Sequence, residues 1–225
     1  TKVFKARLRV EHKQKESEIF FLRPDEANQK IWHCLLGPSK RFQPGETIRL
    51  PDGSTCEILT KNDDGIHLLE TSRPAEAMFE LLDTHGDVPT PPYVRPNEEN
   101  QAGYQTIYAE KTGSVAAPTA GFHLTDRLMD ACRKRGATFA NVTLHVGLGT
   151  FRPIRVEELG KHDMHEEWMH VPKETIALIK KTKAAGGRVI AIGTTAVRAL
   201  ESLTMDREPQ EIPDEDIEGF TRLFI

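Results

Sequence analysis

Cysteine is scarce in this chain: Cys34, Cys56 and Cys132 are the whole set. They are widely spaced and form no C-x-x-C pair, which argues against a disulfide framework or a thiolate metal centre and fits a reducing cytoplasm. Long apolar runs are also missing, so no segment reads as a bilayer span and no membrane association is expected. No secretory leader is visible at Thr1, so nothing points to export. A surplus of positive charge is absent too. The 30 Lys and Arg are outnumbered by 34 Asp and Glu, for a net charge of −4, so bulk electrostatics do not favour nonspecific binding to nucleic acid. Local basic groups exist at Arg133-Lys134-Arg135 and at Lys180, Lys181, Lys183 and Arg188. They read first as solvated helix ends, where cations complement the helix dipole. No G-x-G-x-x-G, P-loop or G-x-S-x-G pattern occurs, which removes the sequence support for a Rossmann dehydrogenase, an NTPase or an α/β-hydrolase.

What remains is an ordinary composition, 38% hydrophobic and 28% charged, able to bury a core. Residues 3 to about 71 read as all-β. Phe4, Ala6, Leu8 and Val10 alternate with polar residues, the period of a half-buried strand. Glu18–Leu22, Ile31–Leu36, Glu46–Leu50, Thr55–Thr60 and Ile66–Glu70 read as further strands. Pro44-Gly45, Asp52-Gly53 and Asp64-Gly65 supply turn chemistry between the later ones. Short strands at this spacing predict a small barrel or sandwich over 1–71, with a barrel-like domain preferred because closure would remove its edges.

The character changes at Ser72. Pro74–Thr84 reads as a helix, and 88–96 is a Pro-rich extended segment. Helices and strands then alternate. A helix capped by Thr125 ends at Gly136, a strand runs from Ala137 to His145, and a helix opened by Pro172 ends at Gly186-Gly187. A strand over Arg188–Ile192 follows, then a helix capped by Thr194 or Thr195. This order predicts an α/β domain over 72–225 with a mostly parallel sheet. Met205–Glu218 reads as an exposed acidic linker. The chain stops inside what reads as another strand, and a longer polypeptide, incomplete here at its C-terminus, is expected.

The residues between Gly113 and Arg152 carry the most information. Gly113-Ser-Val-Ala-Ala-Pro-Thr-Ala-Gly-Phe-His-Leu-Thr125 and Ala140-Asn-Val-Thr-Leu-His-Val-Gly-Leu-Gly-Thr-Phe-Arg-Pro153 are two small-residue loops, each with a histidine. A third such turn is Gly193-Thr194-Thr195. Small residues let backbone approach a ligand closely, and three such turns predict a pocket for a polar small molecule. His123 precedes a helix, where a neutral imidazole is favoured; it reads as a base or donor, or as a residue that orients the loop. His145 closes a strand ahead of Gly147, Gly149 and Thr150. The Thr hydroxyls and helix N–H groups at 193–195 suit a carboxylate, ribose hydroxyls or phosphate, and Arg152 and Arg198 suit an anion. Thr195 alone reads as a helix cap and nothing more. His162-Asp-Met-His165-Glu166-Glu167 invites a zinc reading, but it lacks the H-E-x-x-H order and has no partner cluster. A strand through Trp168 and His170 places His162 and His165 on opposite faces and Glu167 with His165, so general acid/base use is preferred to metal.

Several of these stretches together resemble the S-adenosylmethionine:tRNA ribosyltransferase-isomerases of queuosine biosynthesis. They are Tyr104–Ala109, Gly113–Thr125, Thr143–Pro153, His162–Trp168 and Gly187–Arg198, with Thr90-Pro-Pro-Tyr-Val94 and the run from Thr1 to Leu8. The likeness runs in order along the whole chain. Gly121-Phe-His-Leu-Thr125 exchanges the apolar neighbours that the family places around its histidine, and Glu166 stands where the family has Ser. The resemblance implies transfer of the ribosyl part of S-adenosylmethionine to 7-aminomethyl-7-deazaguanine in a tRNA anticodon loop. Isomerisation then gives epoxyqueuosine, with release of adenine and methionine. Such a reaction needs proton transfers of opposite sense. His123, His145, His165 and Glu167 are the expected acid/base groups. Thr119, Gly121, Gly147, Gly149, Thr150, Arg152, Gly193, Thr194, Thr195 and Arg198 are expected to shape the substrate pocket. S-adenosylmethionine is a consumed co-substrate, and no separate cofactor or metal is implied. A cytoplasmic monomer is expected. The rival readings are a metal-assisted hydrolase using His162, His165 and Glu167, and a non-catalytic RNA-binding module.

Overall fold

A computed structural model describes residues 1–62, 65–91, 103–147, 166–205, 211–223 and 225. The chain divides into two units, one of residues 3–104 and one of residues 1–2 with 105–225.

In the first unit the alternation over residues 7–12 becomes strand β2 (Arg7–His12), which follows the short β1 (Lys2–Val3). Leu8, Val10 and His12 turn inward while Arg9 and Glu11 face water. β2 turns through Lys13 and Gln14, both at positive φ (52° and 58°), into β3 (Lys15–Pro24). Two positive-φ residues match the right-handed twist of a tight hairpin. β4 (Ile31–Gly37), β5 (Thr47–Arg49), β6 (Thr55–Lys61) and β7 (His67–Thr71) complete a six-stranded antiparallel sheet in the order β2-β3-β4-β7-β6-β5. The end strands β2 and β5 come back into contact, so the sheet is nearly closed. Gly45, Gly53 and Gly65 sit at φ 84°, 85° and 83°, which is why the turn signals fall there.

Helix α1 (Ala75–His85) completes this unit. Its Met78 and Leu82 are fully buried. Its Phe79 meets the buried Trp32 edge-on at 5.1 Å and Phe4 at 5.2 Å, while Trp32 also meets Phe21 at 5.4 Å. The expected domain boundary at 71/72 therefore falls inside the β unit. The change of sequence character at Ser72 marks the end of the strands, not the end of their core.

The second unit alternates helices and strands, an α/β arrangement. β8 (Thr112–Ser114) leads to a 3-10 turn over Thr119–His123 and to α2 (Asp126–Lys134). β9 (Thr143–Leu144), β10 (Glu167–Val171), α3 (Lys173–Ala184), α4 (Thr194–Thr204) and β11 (Ile217–Thr221) follow. The sheet expected to be mostly parallel is antiparallel where it is described. β10 lies between β9 and β11, pairing Met169 with Leu144 and Glu167 with Thr221 in opposite directions. Residues 137–142 and 188–192 read as strands from their apolar content, yet they join no ladder among the described residues, and Ile190 is 71% exposed. An apolar run becomes a strand only where a neighbour satisfies its backbone groups.

The core of this unit joins Ala116, Leu144, Val146, Met169, Val171 and Ile176 to Ala199 and Leu203 of α4. Ile212 belongs to the same core and is the exception within 205–218, whose other described residues are exposed or half-buried as expected of a linker. Lys180 Nζ donates to the Ile212 carbonyl, and the Lys173 amide at the start of α3 donates to Asp216 Oδ1 at 2.8 Å. Among the described residues no helix is long and apolar enough to cross a membrane.

Candidate active site

The small-residue stretch Ser114-Val-Ala-Ala117 is buried throughout. Ser114 Oγ donates to the Ala116 carbonyl at 2.7 Å and accepts the Val146 amide at 3.0 Å, while the Val115 amide reaches the Val146 carbonyl at 3.0 Å. A buried hydroxyl used as both donor and acceptor is fully satisfied. It ties the first loop to the strand end at Leu144–Gly147.

From this anchor the chain enters the 119–123 turn. Gly121 is buried, and the Tyr108 hydroxyl lies where a Cβ on Gly121 would stand. Burial raises the Tyr108 phenol, partly offset by its hydrogen bond with Thr106. Across from this turn, Gly193 precedes α4 at φ 86°, and a Cβ there would lie 3.0 Å from Ala120 Cβ. The 119–121 and 193–195 turns therefore meet. Gly193 itself takes the N-cap position and makes no side-chain cap bond. Thr194 and Thr195 lie in the first turn of α4, one residue beyond the capping role expected for one of them. Thr119 and Thr194 are exposed and Thr195 half-buried.

The third turn is drawn in by Glu167. Its side chain leaves the inward face of β10 beside Met169 and Val171 and is buried. Glu167 Oε1 accepts the Gly147 amide at 2.9 Å, and Oε2 accepts a short hydrogen bond from Arg198 Nη1 of α4. One carboxylate thus bridges β10, the turn after β9 and the second turn of α4. The Nε of Arg198 is buried and has no partner among the described residues. An orphaned buried donor costs about 1–3 kcal/mol, and a buried ion pair does not by itself guarantee net stability. The pair is better understood as fixing geometry.

His145 stands elsewhere. Its amide bonds the Trp168 carbonyl at 2.8 Å, so it sits opposite Trp168 on the face of β10 turned away from Glu167. Its ring stacks on Trp168 at 4.9 Å and its Nδ1 lies 2.8 Å from Thr1 Oγ1. Burial, reinforced by nearby positive charge including Lys111, pushes the His145 imidazole down to about 4. It is neutral at physiological pH, as a base requires. Beyond Trp168 on the same face, His170 receives Lys111 Nζ at its Nδ1 (3.0 Å). The expected meeting of imidazole and Glu167 carboxylate is therefore not made by His145, because alternate positions of a strand face opposite ways.

His123 closes the 3-10 turn and is exposed, adjacent to the meeting point of the 119–121 and 193–195 turns. His165, Gly149, Thr150 and Arg152 lie outside the described residues, as does His162. Glu167, the third member of the rival metal set, already has both oxygens engaged. Ser114 and Tyr108 escaped the sequence reading as site-building residues. The one signal was their place inside the motif stretches 104–109 and 113–125.

The sequence model of the queuosine biosynthesis protein family matches residues 1–225. The chain belongs to that family. The S-adenosylmethionine:tRNA ribosyltransferase-isomerase of Thermotoga maritima is 41% identical over 225 residues, which are all of this chain and 64% of that protein. The enzyme of the same name from Magnetococcus marinus is 40% identical over 229 residues, again covering the whole chain and 62% of the relative. The chain thus spans less than two thirds of the length of these relatives. A crystal structure of S-adenosylmethionine tRNA ribosyltransferase from Thermotoga maritima covers all of this chain and 58% of its own, at a TM-score of 0.36 and 27% identity. For this member of the queuosine biosynthesis family, the residues gathered around the 119–121, 147 and 193–198 positions coincide with three of the motif stretches that carried the resemblance.

Proposed function

We propose that this chain carries the S-adenosylmethionine-consuming part of a tRNA ribosyltransferase-isomerase. The observation that carries the reading is identity of 40–41% along its whole length to relatives named for that activity. In this reading the ribosyl group passes to 7-aminomethyl-7-deazaguanine in a tRNA anticodon loop, giving epoxyqueuosine with release of adenine and methionine. The sulfonium makes the adjacent 5′ carbon acidic, so a base can remove a proton there, and adenine takes up a proton as it leaves. His123, at the edge of the meeting turns, is the described histidine best placed for one of these transfers. His145 is neutral but faces away from Glu167, so its role as a base is direct only if substrate spans the sheet edge. His165 remains a candidate for the other transfer. Arg198, Gly193, Thr194 and Thr195 line the approach from α4, and Gly121, Thr119 and Gly147 line it from the other turns; Gly149, Thr150 and Arg152 follow Gly147 in sequence.

The 119–121 and 193–195 turns stand side by side through close contacts, which supports reading them as one site. Gly193 against Ala120, and Gly121 against Tyr108, leave no room for larger side chains. A single-stranded anticodon loop is read by splaying bases into pockets, which tolerates a net charge of −4. We further propose a cytoplasmic enzyme that acts as a monomer with no separate cofactor. The direct test incubates the protein with S-adenosylmethionine and tRNA bearing the 7-deazaguanine precursor. Free adenine together with a matching mass gain on the RNA is the expected result. Adenine absent under all conditions would defeat the reading.

A further inference from the structure

Glu167 was expected to move protons, but its surroundings fit another task. Both carboxylate oxygens are committed, one to the Gly147 amide and one to Arg198 Nη1. The side chain is 1% exposed, against 14% for Arg198. Each oxygen keeps a further lone pair, but the carboxylate is enclosed and held at both ends, which suits holding structure in place. Its two partners, however, belong to the turn at Gly147 and to α4, the helix that follows the 193–195 turn. Arg198 lies one turn into α4, whose start at Gly193 abuts Ala120. The same helix is held further along by Ala199 and Leu203 in the core. It is also held by Ser202, whose Oγ lies 2.6 Å from Thr221 Oγ1 of β11.

We propose that Glu167 is a positioning residue. Through Arg198 it holds α4, and through the Gly147 amide it sets the turn after β9, so that the 147 and 193–195 backbones hold one fixed spacing around the substrate. The effect on turnover rests on the ribosyltransferase reading above; the positioning itself does not. A bidentate-capable guanidinium and a buried carboxylate suit this use, because their geometry is directional and cannot be reproduced by an ammonium on a flexible stem.

The test compares Glu167→Gln, Arg198→Lys and the double substitution with the parent protein, each first checked for folding by circular dichroism. Glu167→Gln keeps an acceptor for the Gly147 amide and removes the charge. Arg198→Lys keeps the charge and loses the planar fork. In ligand-free protein, amide exchange at Val197, whose N–H bonds the Gly193 carbonyl at 3.2 Å, is expected to quicken at least 10-fold in both single variants. The double variant should be no faster than either single one, because both break the same link. With S-adenosylmethionine and substrate tRNA, KM for S-adenosylmethionine is expected to rise about 10-fold or more in both, with the shape of the kcat pH profile unchanged. The proposal is overturned if Glu167→Gln abolishes adenine release or removes a limb of the pH profile while exchange at Val197 stays at the parent rate. It is equally overturned if the two variants quicken exchange independently and additively. Should the parent protein release no adenine, the ribosyltransferase reading fails, while the exchange comparison still decides the positioning role.

Discussion

A single methyl group at position 113 would collide with the His145 ring. Gly113 sits at φ 150°, and a Cβ there would lie 2.5 Å from His145 Nε2. Gly136 also has positive φ, at 89°, but a Cβ there would meet nothing. Gly113→Ala is therefore expected to cost several kcal/mol, clash added to backbone strain, against about 1 kcal/mol for Gly136→Ala. Chemical denaturation of the two variants checks this, and equal costs would show that His145 is not fixed where it is described. Residue types at this scale were legible in part. The small residues of 113–121 announced close packing, but they were read as making room for a ligand. Ser114, Gly113 and Gly121 also make room for the protein's own Val146, His145 and Tyr108. Sequence alone does not distinguish the two, since both require the same missing atoms.

At the scale of elements, α2 is a helix held mainly at its start. None of its residues is buried, and Thr125 Oγ1 accepts the Leu128 amide at 3.2 Å. Thr125→Ala is expected to lower local stability by about 1 kcal/mol and Thr125→Ser to leave it nearly unchanged. Amide exchange along 126–134 reads the difference, and an unchanged rate in the alanine variant would contradict the cap. This cap was plain in the sequence, as were the six barrel strands with their Gly turns, because each signal is local. Sheet direction in the second unit was not. β9, β10 and β11 are separated by long stretches of chain, and the alternation of helix and strand that usually accompanies parallel pairing gave no information on which edges meet. The placement of α1 with the β unit was hidden for the same reason: Phe79 and Met78 show an apolar face but not which core receives it.

At the scale of the whole molecule, acid should weaken the fold from both units. His67 is buried in the barrel, and burial followed by the Lys61 charge lowers its pKa. His145 falls from 6.5 to about 4 in the folded protein. A histidine with a depressed folded value is neutral in the native state and takes up its proton on unfolding. Its contribution to stability is complete above about pH 6.5 and is lost as pH falls towards 4. For His145 the loss is on the order of 3 kcal/mol. Denaturant midpoints measured between pH 7 and 4 should fall accordingly, and His67→Leu should make the fall shallower. A flat profile across that range would contradict the burial of both rings. Composition indicated a chain able to bury a core, and both units bury one. The buried histidines did not stand out there, because nothing in a β pattern marks which inward position holds a polar ring.

The account rests on three turns sharing one ligand, and amide exchange with and without S-adenosylmethionine tests that most directly. Slowed exchange at Ala120–Gly121, at Gly147 and at Thr194–Thr195 together is the predicted result. Protection confined to the barrel strands, or to the Trp168–His170 face with these three turns unchanged, would contradict it.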